Sequence, residues 1–348
     1  MSPIRESAAR EDEQGGRPLT IAQIAERAGV SLATVSKVLN GRDSVAPETR
    51  TLIEDIIRRY GYRRQKRPTK ASPLIEVAFH RLRGPYEIEI LNGVQRVAVE
   101  HRLGVVVSER EGRRIPGRDW IEDIMVRRPT GVIAVFANPT EEQRGRLASR
   151  SVPLVLVDPR EGPDGASPSV SANNWSGGLA ATRHLLGLGH RRIAAITGPE
   201  HALAARARLD GFRAAMDLAG VPIDPGLVRV ADLRDGRRPA RDLLRSNDLP
   251  TAVVVDGEAL GVYRAAAEAG LRIPEDLSVV GYDDLPRAEW NIPPLTSVRQ
   301  PLRDMAAIAA DMILALAGDA PLPRHHVELA TELVVRGSTA PPPPQPLR

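Results

Sequence analysis

Through residues 74–338, short apolar runs alternate with segments of helical periodicity, and few folds accommodate that order. The apolar runs read LIEVAF, GVVVS, GVIAVF, VPLVLVD, RRIAAIT, TAVVVD and LSVVGYDD, and each is bounded by turn residues as a buried strand is. Helix-patterned segments such as ILNGVQRVAVEHRL, GLAATRHLLGLG and LDGFRAAMDLAG lie between them. Such alternation gives parallel sheets covered by helices. Because one sheet does not comfortably hold this many strands, the pattern predicts two similar α/β lobes with a cleft.

Acidic residues follow several of these runs, at the points where the predicted strands end. Asp158 follows VLV, Asp256 follows VVV, and Asp283 and Asp284 follow VVGY. A single acid after a strand is often only a helix cap or a loop residue. Ligands of open α/β sheets, however, bind beyond the carboxyl ends of the strands, so several such acids indicate a polar cleft. Carboxylates there can accept hydrogen bonds from vicinal hydroxyls, and an aromatic ring can cover the apolar face of a sugar.

The segment LTIAQIAERAGVSLATVSKVLNG, which precedes the α/β region, predicts two short helices joined by a tight turn. Thr20 can cap a helix over Ile21–Ala28, and Ser31 can cap a second helix over Leu32–Leu39. Gly29 permits the left-handed conformation that the turn between them needs. A pair of helices joined in this way can lay its second helix in the major groove of DNA.

A third helix is predicted from Pro47, which suits a first helical turn. On the second helix, Lys37 can reach guanine acceptors, and Leu32 or Ala33 can contact a thymine methyl. Three polar residues there suit phosphate oxygens: Thr34, Ser36 and Asn40. The core stripe of the third helix is expected to comprise Leu52, Ile53, Ile56, Ile57 and Tyr60.

A basic run follows, because RRYGYRRQKRPTK at residues 58–70 carries seven Lys/Arg and no acid. Such a run alone is as often a solvated linker as a binding segment. Next to a DNA-binding helix pair, neutralisation of DNA phosphates is the better interpretation.

Taken together, these motifs resemble the LacI/GalR family of bacterial transcription regulators. TIAQIAERAGVSLATVSKVLNG, followed by VAPETR and YGY, is similar to the family's headpiece. NNWSGGLAATRHLLGLGHRRIAAITGP, RARLDGF, IPEDLSVVGYDDL and PPLTSVRQP are similar to its effector region. The resemblance implies an α/β two-lobed periplasmic-binding-protein-like effector domain with an all-α helix-turn-helix headpiece. It also implies a regulator that binds operator DNA as a homodimer, commonly a repressor that a sugar releases.

The resemblance also implies a domain organisation. The lobes of the effector domain are expected at about 74–171 with 298–322, and at about 172–297 with 323–338. The successive parts of the chain are a disordered tail at 1–17, a headpiece at 18–62, a basic linker or hinge at 63–73, an effector-binding and dimerisation domain at 74–338, and a flexible tail at 339–348.

By position in the family motifs, Arg208 is expected to make a fork of hydrogen bonds to the effector, and Asp283 to hold its hydroxyls. Trp175 could stack on the effector or pack in the core. The other expected effector-binding residues are Tyr86 and Glu87 in the first lobe, Asn174 and Asp256 in the second, and Gln300 near the return crossover. The expected DNA-binding residues are Thr20, Ser31, Leu32, Ala33, Thr34, Ser36, Lys37, Asn40, Arg42, Arg63, Arg64, Lys66 and Arg67.

The chain departs from the family pattern in the linker and in the cleft. The linker RRQKRPTKASP lacks the family's minor-groove leucine, and its prolines disfavour a continuous helix, so it is expected to bind DNA through charge. In the cleft, Val255 replaces the usual Asn beside Asp256, which leaves the role of Asp256 open. Ala172 stands where many relatives carry an acid.

Other classes of function receive little support from the sequence. No GxGxxG follows a strand, GxxxxGK[ST] is absent, and no nucleophile elbow or metal-spaced cluster is found, so no cofactor, metal or catalytic residue is expected. With no cysteine and no apolar run long enough to span a membrane, a cytoplasmic location is expected. The alternative is a sugar-binding protein of the periplasmic type without a DNA role, which would need an export signal. The expected effector is a mono- or oligosaccharide. NWSGGLAATRHLL resembles actinobacterial relatives, and this resemblance implies an oligosaccharide from plant cell walls.

Overall fold

A computed structural model describes most of the chain as two compact units, Met1–Lys70 and Ala71–Arg348. The predicted tail at 1–17 and six of the predicted DNA-binding residues lie outside the described residues. The six are Asn40, Arg42, Arg63, Arg64, Lys66 and Arg67. The described ranges are 19–39, 45–60, 71–82, 84–109, 118–160, 167–199, 201–230, 237–245, 248–257 and 259–344.

In the part of the first unit that the structure describes there are three helices, α1 (Ile21–Ala28), α2 (Leu32–Leu39) and α3 (Pro47–Tyr60). The predicted caps are confirmed. The Thr20 hydroxyl accepts from the Gln23 amide at 3.4 Å, and the Gln23 side chain accepts in return from the Thr20 amide at 2.9 Å. Ser31 Oγ accepts from the Thr34 amide at 3.1 Å, and Gly29 has a φ of 64°. Local cap chemistry thus fixes where α1 ends and α2 begins.

Ile24, Val35 and Ile53, one from each helix, form the fully buried centre of this unit. The prediction that Leu52 belongs to the core is wrong, because its side chain is 48% exposed. Ile53, Ile56, Ile57 and Tyr60 are spaced so that they lie on one face of α3, which packs in the core. Leu52 lies outside that face.

The described residues of the second unit form two six-stranded sheets. The first has the order β11-β5-β4-β3-β1-β2 and is parallel throughout. The second has the order β12-β10-β9-β8-β6-β7, parallel except for the antiparallel pair β10–β12. The strands are β1 (Ser72–Phe79), β2 (Gly104–Glu109), β3 (Pro129–Val135), β4 (Leu154–Val157), β5 (Ser169–Ala172), β6 (Ile193–Thr197), β7 (Val228–Val230), β8 (Ala252–Val255), β9 (Ser278–Asp283), β10 (Thr296–Arg299), β11 (His326–Leu329) and β12 (Glu332–Val334).

Helices cover these sheets, as strand–helix alternation requires. Apolar side chains of the first sheet pack against the helices that follow β1 and β10, and those of the second sheet pack against the helices that follow β5, β6 and β8. The helices are α4 (Pro85–Glu100), α5 (Arg118–Arg127), α6 (Glu141–Ser149), α7 (Asn174–Gly187), α8 (Leu203–Leu218), α9 (Arg237–Leu243), α10 (Leu260–Glu268) and α11 (Leu302–Ala317).

The chain passes between the sheets after β5, after β10 and after β11. The segment 323–338, which was expected in the second lobe, is divided between them. Strand β11 pairs in parallel with β5 of the first sheet, whereas β12 pairs with β10 of the second. The late boundary was missed because these strands are short and mostly half-exposed, so their hydrophobic contrast is low.

The predicted flexible tail at 339–348 is wrong for its first residues. The Thr339 hydroxyl lies 3.0 Å from His184 Nε2, and the Ala340 carbonyl lies 2.8 Å from His190 Nε2. The Ala340 amide donates to Ser278 Oγ at 3.0 Å. Buried polar groups of the second lobe therefore fix the chain as far as Ala340.

Glycines allow α7 and α8 to pack at backbone distance. A Cβ on Gly178 would lie 2.1 Å from the Arg208 carbonyl oxygen, and a Cβ on Gly211 would lie 2.1 Å from the Trp175 carbonyl oxygen. This packing brings Asn174, at the start of α7, next to Arg208 on α8. None of the helices in the described ranges combines the length and the apolar character that a membrane crossing needs.

Candidate functional site

A cavity of about 480 Å3 lies where the carboxyl ends of the strands in the two sheets face each other. The first sheet contributes residues that follow β1, β3 and β4, together with the start of α4. The second sheet contributes residues that follow β6, β8 and β9, together with the start of α8. This is the place where open α/β sheets bind ligands, and the volume suits a small molecule.

Arg208 is the centre of the cavity wall in the second lobe, and its side chain is only 12% exposed. Its Nε donates to Asn174 Oδ1 at 2.7 Å, and its Nη1 pairs with Asp256. Its Nη2 lies 3.7 Å from Asp283 Oδ1. The guanidinium Cζ lies 3.7 Å from the centroid of the Tyr282 ring, as in a cation–π contact. Four neighbours therefore fix the plane of the guanidinium group before any ligand binds.

The charges around Arg208 keep it ionised. Burial lowers the pKa of Arg208, but the carboxylates of Asp256 and Asp283 outweigh burial and raise its pKa above the ordinary value. Burial also raises the pKa of Tyr282 to about 12, so its hydroxyl stays protonated. A fixed cation with N–H groups near the cavity can donate hydrogen bonds to the oxygen atoms of a ligand.

The opposite wall, from the first lobe, centres on Asp158, which follows β4 with a φ of 46°. Its Oδ2 accepts a 2.6 Å hydrogen bond from the Tyr86 hydroxyl. Its Oδ1 is buried and has no hydrogen-bond partner among the described residues. The Tyr86 ring is itself held against Phe136, with ring centroids 4.9 Å apart. A buried oxygen left unsatisfied on a cavity wall is a position for a ligand group.

Burial raises the pKa of the Asp158 carboxyl, so Asp158→Asn should stabilise the ligand-free protein at neutral pH. An Asn Oδ1 can still accept from Tyr86. Because the pKa of Asp158 is higher in the folded than in the unfolded protein, the free energy of unfolding of the wild type falls as the pH rises through the folded-state pKa. Below the pKa of the unfolded chain, about 3.9, Asp158 is protonated in both states and costs no stability. In urea unfolding, the variant should therefore have a higher free energy of unfolding than the wild type at pH 7.5, and this difference should shrink toward pH 4.

The control is Asp217→Asn, which makes the same change from carboxylate to amide at an exposed position on α8. Equal stability of the Asp158→Asn variant and the wild type at both pH values would contradict the assignment of a buried, costly carboxyl at residue 158.

The structure brings most of the expected effector residues together. Tyr86, Glu87, Arg208, Asp256 and Asp283 all line the cavity. Asp256, whose role the sequence left open, is the buried partner of Arg208. Glu87 also has a local role, because its Oε2 accepts from the Gly84 amide at 2.9 Å and so caps α4.

Three other expected residues lie at or outside the edge of the cavity. Asn174 and Gln300 are buried behind its wall, where Asn174 holds Arg208 and Gln300 Nε2 donates to Asp283 Oδ1. Trp175 is 44% exposed and is not one of the described residues that line the cavity. The geometry therefore supports neither stacking on a cavity ligand nor core packing for Trp175.

Asp158 is the main cavity residue that the expected set omitted. The sequence did mark it as an acid after a strand, but only its φ, its burial and its bond to Tyr86 distinguish it from a loop residue. Phe136 and Arg160, which follow β3 and β4, were also missed. Both follow strand ends, and a systematic reading of those positions could have found them.

In the helical unit, the expected base-reading side chains of α2 are available. Leu32 is 56% exposed, and Ala33 and Lys37 are also exposed. Thr34 and Ser36 are half-buried, and the Thr34 hydroxyl lies 2.8 Å from Ser31 Oγ. Thr20 and Ser31 serve as helix caps in this unit. The described residues contain no group of three His, Asp or Glu side chains arranged to hold a metal ion.

Two family models match the chain. The model described as bacterial regulatory proteins, lacI family, matches residues 20–65, and a periplasmic binding protein-like domain matches residues 182–339. The ribose operon repressor of Escherichia coli (strain K12) is 32% identical over 329 residues, covering 92% of this chain and 99% of the relative. The HTH-type transcriptional repressor PurR of Pasteurella multocida (strain Pm70) is 31% identical over 333 residues, covering 92% and 98%.

Solved structures agree with these matches. The complex of the transcriptional regulator CelR with cellobiose superposes with a TM-score of 0.68 at 31% identity, covering 92% of this chain and 100% of that one. The lac repressor dimer bound to operator and the anti-inducer ONPF superposes with a TM-score of 0.68 at 29% identity, covering 93% and 100%. The similarity thus extends over both the helical unit and the two-lobed unit.

Proposed function

The chain belongs to the lacI family of bacterial regulatory proteins, and on that premise we propose that it is a transcriptional repressor released from its operator by a sugar. The observation that carries this proposal is the cavity. There, Arg208, Asp256 and Asp283 of the second lobe face Asp158 of the first lobe across a space of about 480 Å3. A ligand that contacts both walls links the two lobes.

A neutral polyhydroxyl compound fits the chemistry of these walls. The buried Oδ1 of Asp158 can accept from one ligand hydroxyl, and Arg208 can donate to an oxygen of the same molecule. Tyr86 and Phe136 offer an aromatic surface beside these polar groups. The solved complex of CelR with cellobiose and the similarity to the ribose operon repressor support a mono- or disaccharide as the effector.

Sugar binding would act on DNA binding through the position of the lobes. A hydrogen bond between described residues crosses the cleft next to the cavity, from the Leu203 amide at the start of α8 to the Arg160 carbonyl oxygen at 3.3 Å. An effector that also bridges the walls favours one relative position of the lobes over others. In a homodimer, that choice decides whether two headpieces match successive major-groove faces. The effector must bind the two relative positions of the lobes with different affinities, because a ligand of equal affinity for both does not shift the equilibrium between them.

The proposal is tested by thermal unfolding with a panel of mono- and disaccharides that includes ribose and cellobiose. A sugar that binds in the cavity should raise the melting temperature as its concentration rises above its Kd. The same sugar should release the protein from DNA upstream of its own coding sequence. If no sugar of the panel shifts the melting temperature, the proposed effector class is wrong.

Lys37→Ala should weaken binding to the cognate operator by about 1–3 kcal/mol and relax base preference at the contacted position. Lys37 is exposed on α2, the helix that the proposal places in the major groove. Arg59→Ala, on α3, is a comparison variant that removes one positive charge from the same unit. Fluorescence anisotropy on a set of operators with single base changes provides the measurement. An unchanged specificity profile would exclude Lys37 from base readout.

The same premise supports the remaining parts of the proposal. We infer that the chain acts by binding rather than as an enzyme, since the relatives are regulators by name. Because its target is DNA, it works in the cytoplasm. The rival function is a sugar-binding protein without a DNA role. Sugar binding together with no retardation of any upstream DNA at moderate salt would favour that rival.

A further inference from the structure

Asp284 is a buried acid next to the cavity residue Asp283, and it does not itself line the cavity. Its side chain is 2% exposed and meets two guanidinium groups. Arg336 Nη1 lies 2.6 Å from its Oδ1, and Arg299 donates to its Oδ2 from Nε at 2.8 Å. A buried carboxylate satisfied from both sides by arginines is strongly held in place.

Both arginines belong to the second lobe and lie near strands at which the chain crosses between the lobes. Arg299 is the last residue of β10, immediately before the chain crosses to α11. Arg336 follows β12, the first strand after the last crossing. Arg336 is fixed in turn, because its Nη1 also donates to the Leu295 carbonyl at 2.8 Å. Asp284 therefore joins the end of β9 to the ends of β10 and β12, the two second-lobe strands next to the last two crossings between the lobes.

The backbone at this position is held in a conformation that side chains disfavour. Asp283 has a φ of 75° and Asp284 a φ of 48°, and only a small left-handed region is open to residues with a Cβ. The Asp284 amide donates to Ser297 Oγ at 3.2 Å. Because two successive residues have a positive φ, their side chains face different surroundings. Asp283 lines the cavity, and Asp284 contacts the two arginines. This conformation persists because the surrounding contacts hold it.

We propose that Asp284 is a positioning residue for the effector: its pairs with Arg299 and Arg336 hold Asp283 toward the cavity and couple the cavity to the interlobe connections. The proposal rests on the sugar site proposed above. Asp284, the second acid of VVGYDD, thus has a role in effector binding although it does not line the cavity. Loss of the pairs would let the strained backbone relax, and Asp283 would then leave its place beside Arg208 and Gln300.

The test compares Asp284→Asn and Asp284→Gly with a matched control at the other end of β9. Asn keeps the shape and tolerates a positive φ, and Gly removes the backbone strain, but neither can form the ion pairs. The control is Asp276→Asn, which removes a carboxylate paired with Arg272 at 2.8 Å, just before β9 begins. Melting temperature, calorimetric titration with cellobiose and ribose, and hydrogen exchange of residues 281–287 are measured for each.

Both Asp284 variants should bind the sugar at least about tenfold more weakly, which corresponds to one lost charge-assisted hydrogen bond. Exchange at residues 281–287 should be faster in Asp284→Asn. Asp276→Asn should lower the melting temperature while sugar affinity stays within about twofold of wild type. Wild-type affinity in Asp284→Gly would show that the ion pairs are dispensable and would overturn the proposal.

The outcome also separates the two proposals. If the wild-type protein binds sugar and both Asp284 variants bind it equally well, the positioning role fails while the proposed function stands. If the wild-type protein binds neither sugar, the proposed effector class fails. The exchange measurement then decides on Asp284, because unchanged exchange in Asp284→Asn overturns its role in holding this backbone.

Discussion

Arg208→Met should reduce sugar affinity by at least about 100-fold, because the variant loses every hydrogen bond that the fixed guanidinium offers. It should also lower the free energy of unfolding by about 3 kcal/mol, because its removal leaves the buried carboxylate of Asp256 without its cation. Asp256 is nearly inaccessible, whereas Asp283 is partly exposed and keeps its hydrogen bond from Gln300. Operator binding in the absence of sugar should persist, since the headpiece folds around its own core. Calorimetry, urea unfolding and operator anisotropy measure the three quantities.

The control for this prediction is Arg213→Met, on the same helix. Its guanidinium is 53% exposed and pairs with Asp210, so stability should change by no more than about 1 kcal/mol and sugar affinity should not change. If Arg208→Met keeps wild-type sugar affinity, Arg208 has no part in effector binding and the assignment of the cavity fails.

Gly178→Ala should lower the free energy of unfolding by about 3 kcal/mol, at the upper end of overpacking effects. The added methyl group would meet the Arg208 carbonyl oxygen at 2.1 Å and its carbonyl carbon at 2.8 Å, so α7 and α8 have to separate. Because that movement displaces Asn174 from Arg208, sugar affinity should fall together with stability. Thermal unfolding and sugar titration provide the measurement.

Gly187→Ala is the matched control at the other end of α7. A Cβ there would meet no atom within 4 Å, so the variant should be neutral or more stable by up to about 1 kcal/mol, as expected from helix propensity. Equal effects of the two substitutions would mean that α7 and α8 are not packed as closely as described.

Local chemistry made the headpiece predictable. Thr20, Gly29 and Ser31 each act within a few residues of their own position, and the helices α1 and α2 have the predicted bounds. Leu52 was misplaced because hydrophobicity alone does not say which side of a helix is buried. The long buried strands of the lobes were equally visible, since β1, β3 and β9 are apolar along most of their length.

The short strands were not predictable in the same way. Strands β5, β10 and β12 read SVSA, TSVR and ELV, and these sequences have no clear apolar alternation. Their pairing is decided by the long-range return of the chain between the lobes. The same reason explains why Thr339 and Ala340, which look like the start of a flexible tail, are held by His184 and His190.

The cavity was partly predictable, because acids after strands mark the sheet edge where ligands bind. Asp256 and Asp283 were found in this way, and Arg208 came from the family motif. Which role each of these acids has depends on contacts that only the folded structure shows. Asp256 balances Arg208, Asp158 keeps an unsatisfied oxygen, and Asp284 turns away from the cavity to its arginines.

Coupling between the sugar site and the operator site can be measured by a reciprocal titration. Operator affinity is measured by anisotropy with and without a saturating amount of the sugar that raises the melting temperature, and sugar affinity is measured with and without saturating operator. Sugar should lower operator affinity, and operator should lower sugar affinity, by the same factor of at least about fivefold, as linkage requires. A sugar that binds in the cavity while operator affinity stays unchanged would contradict this coupling.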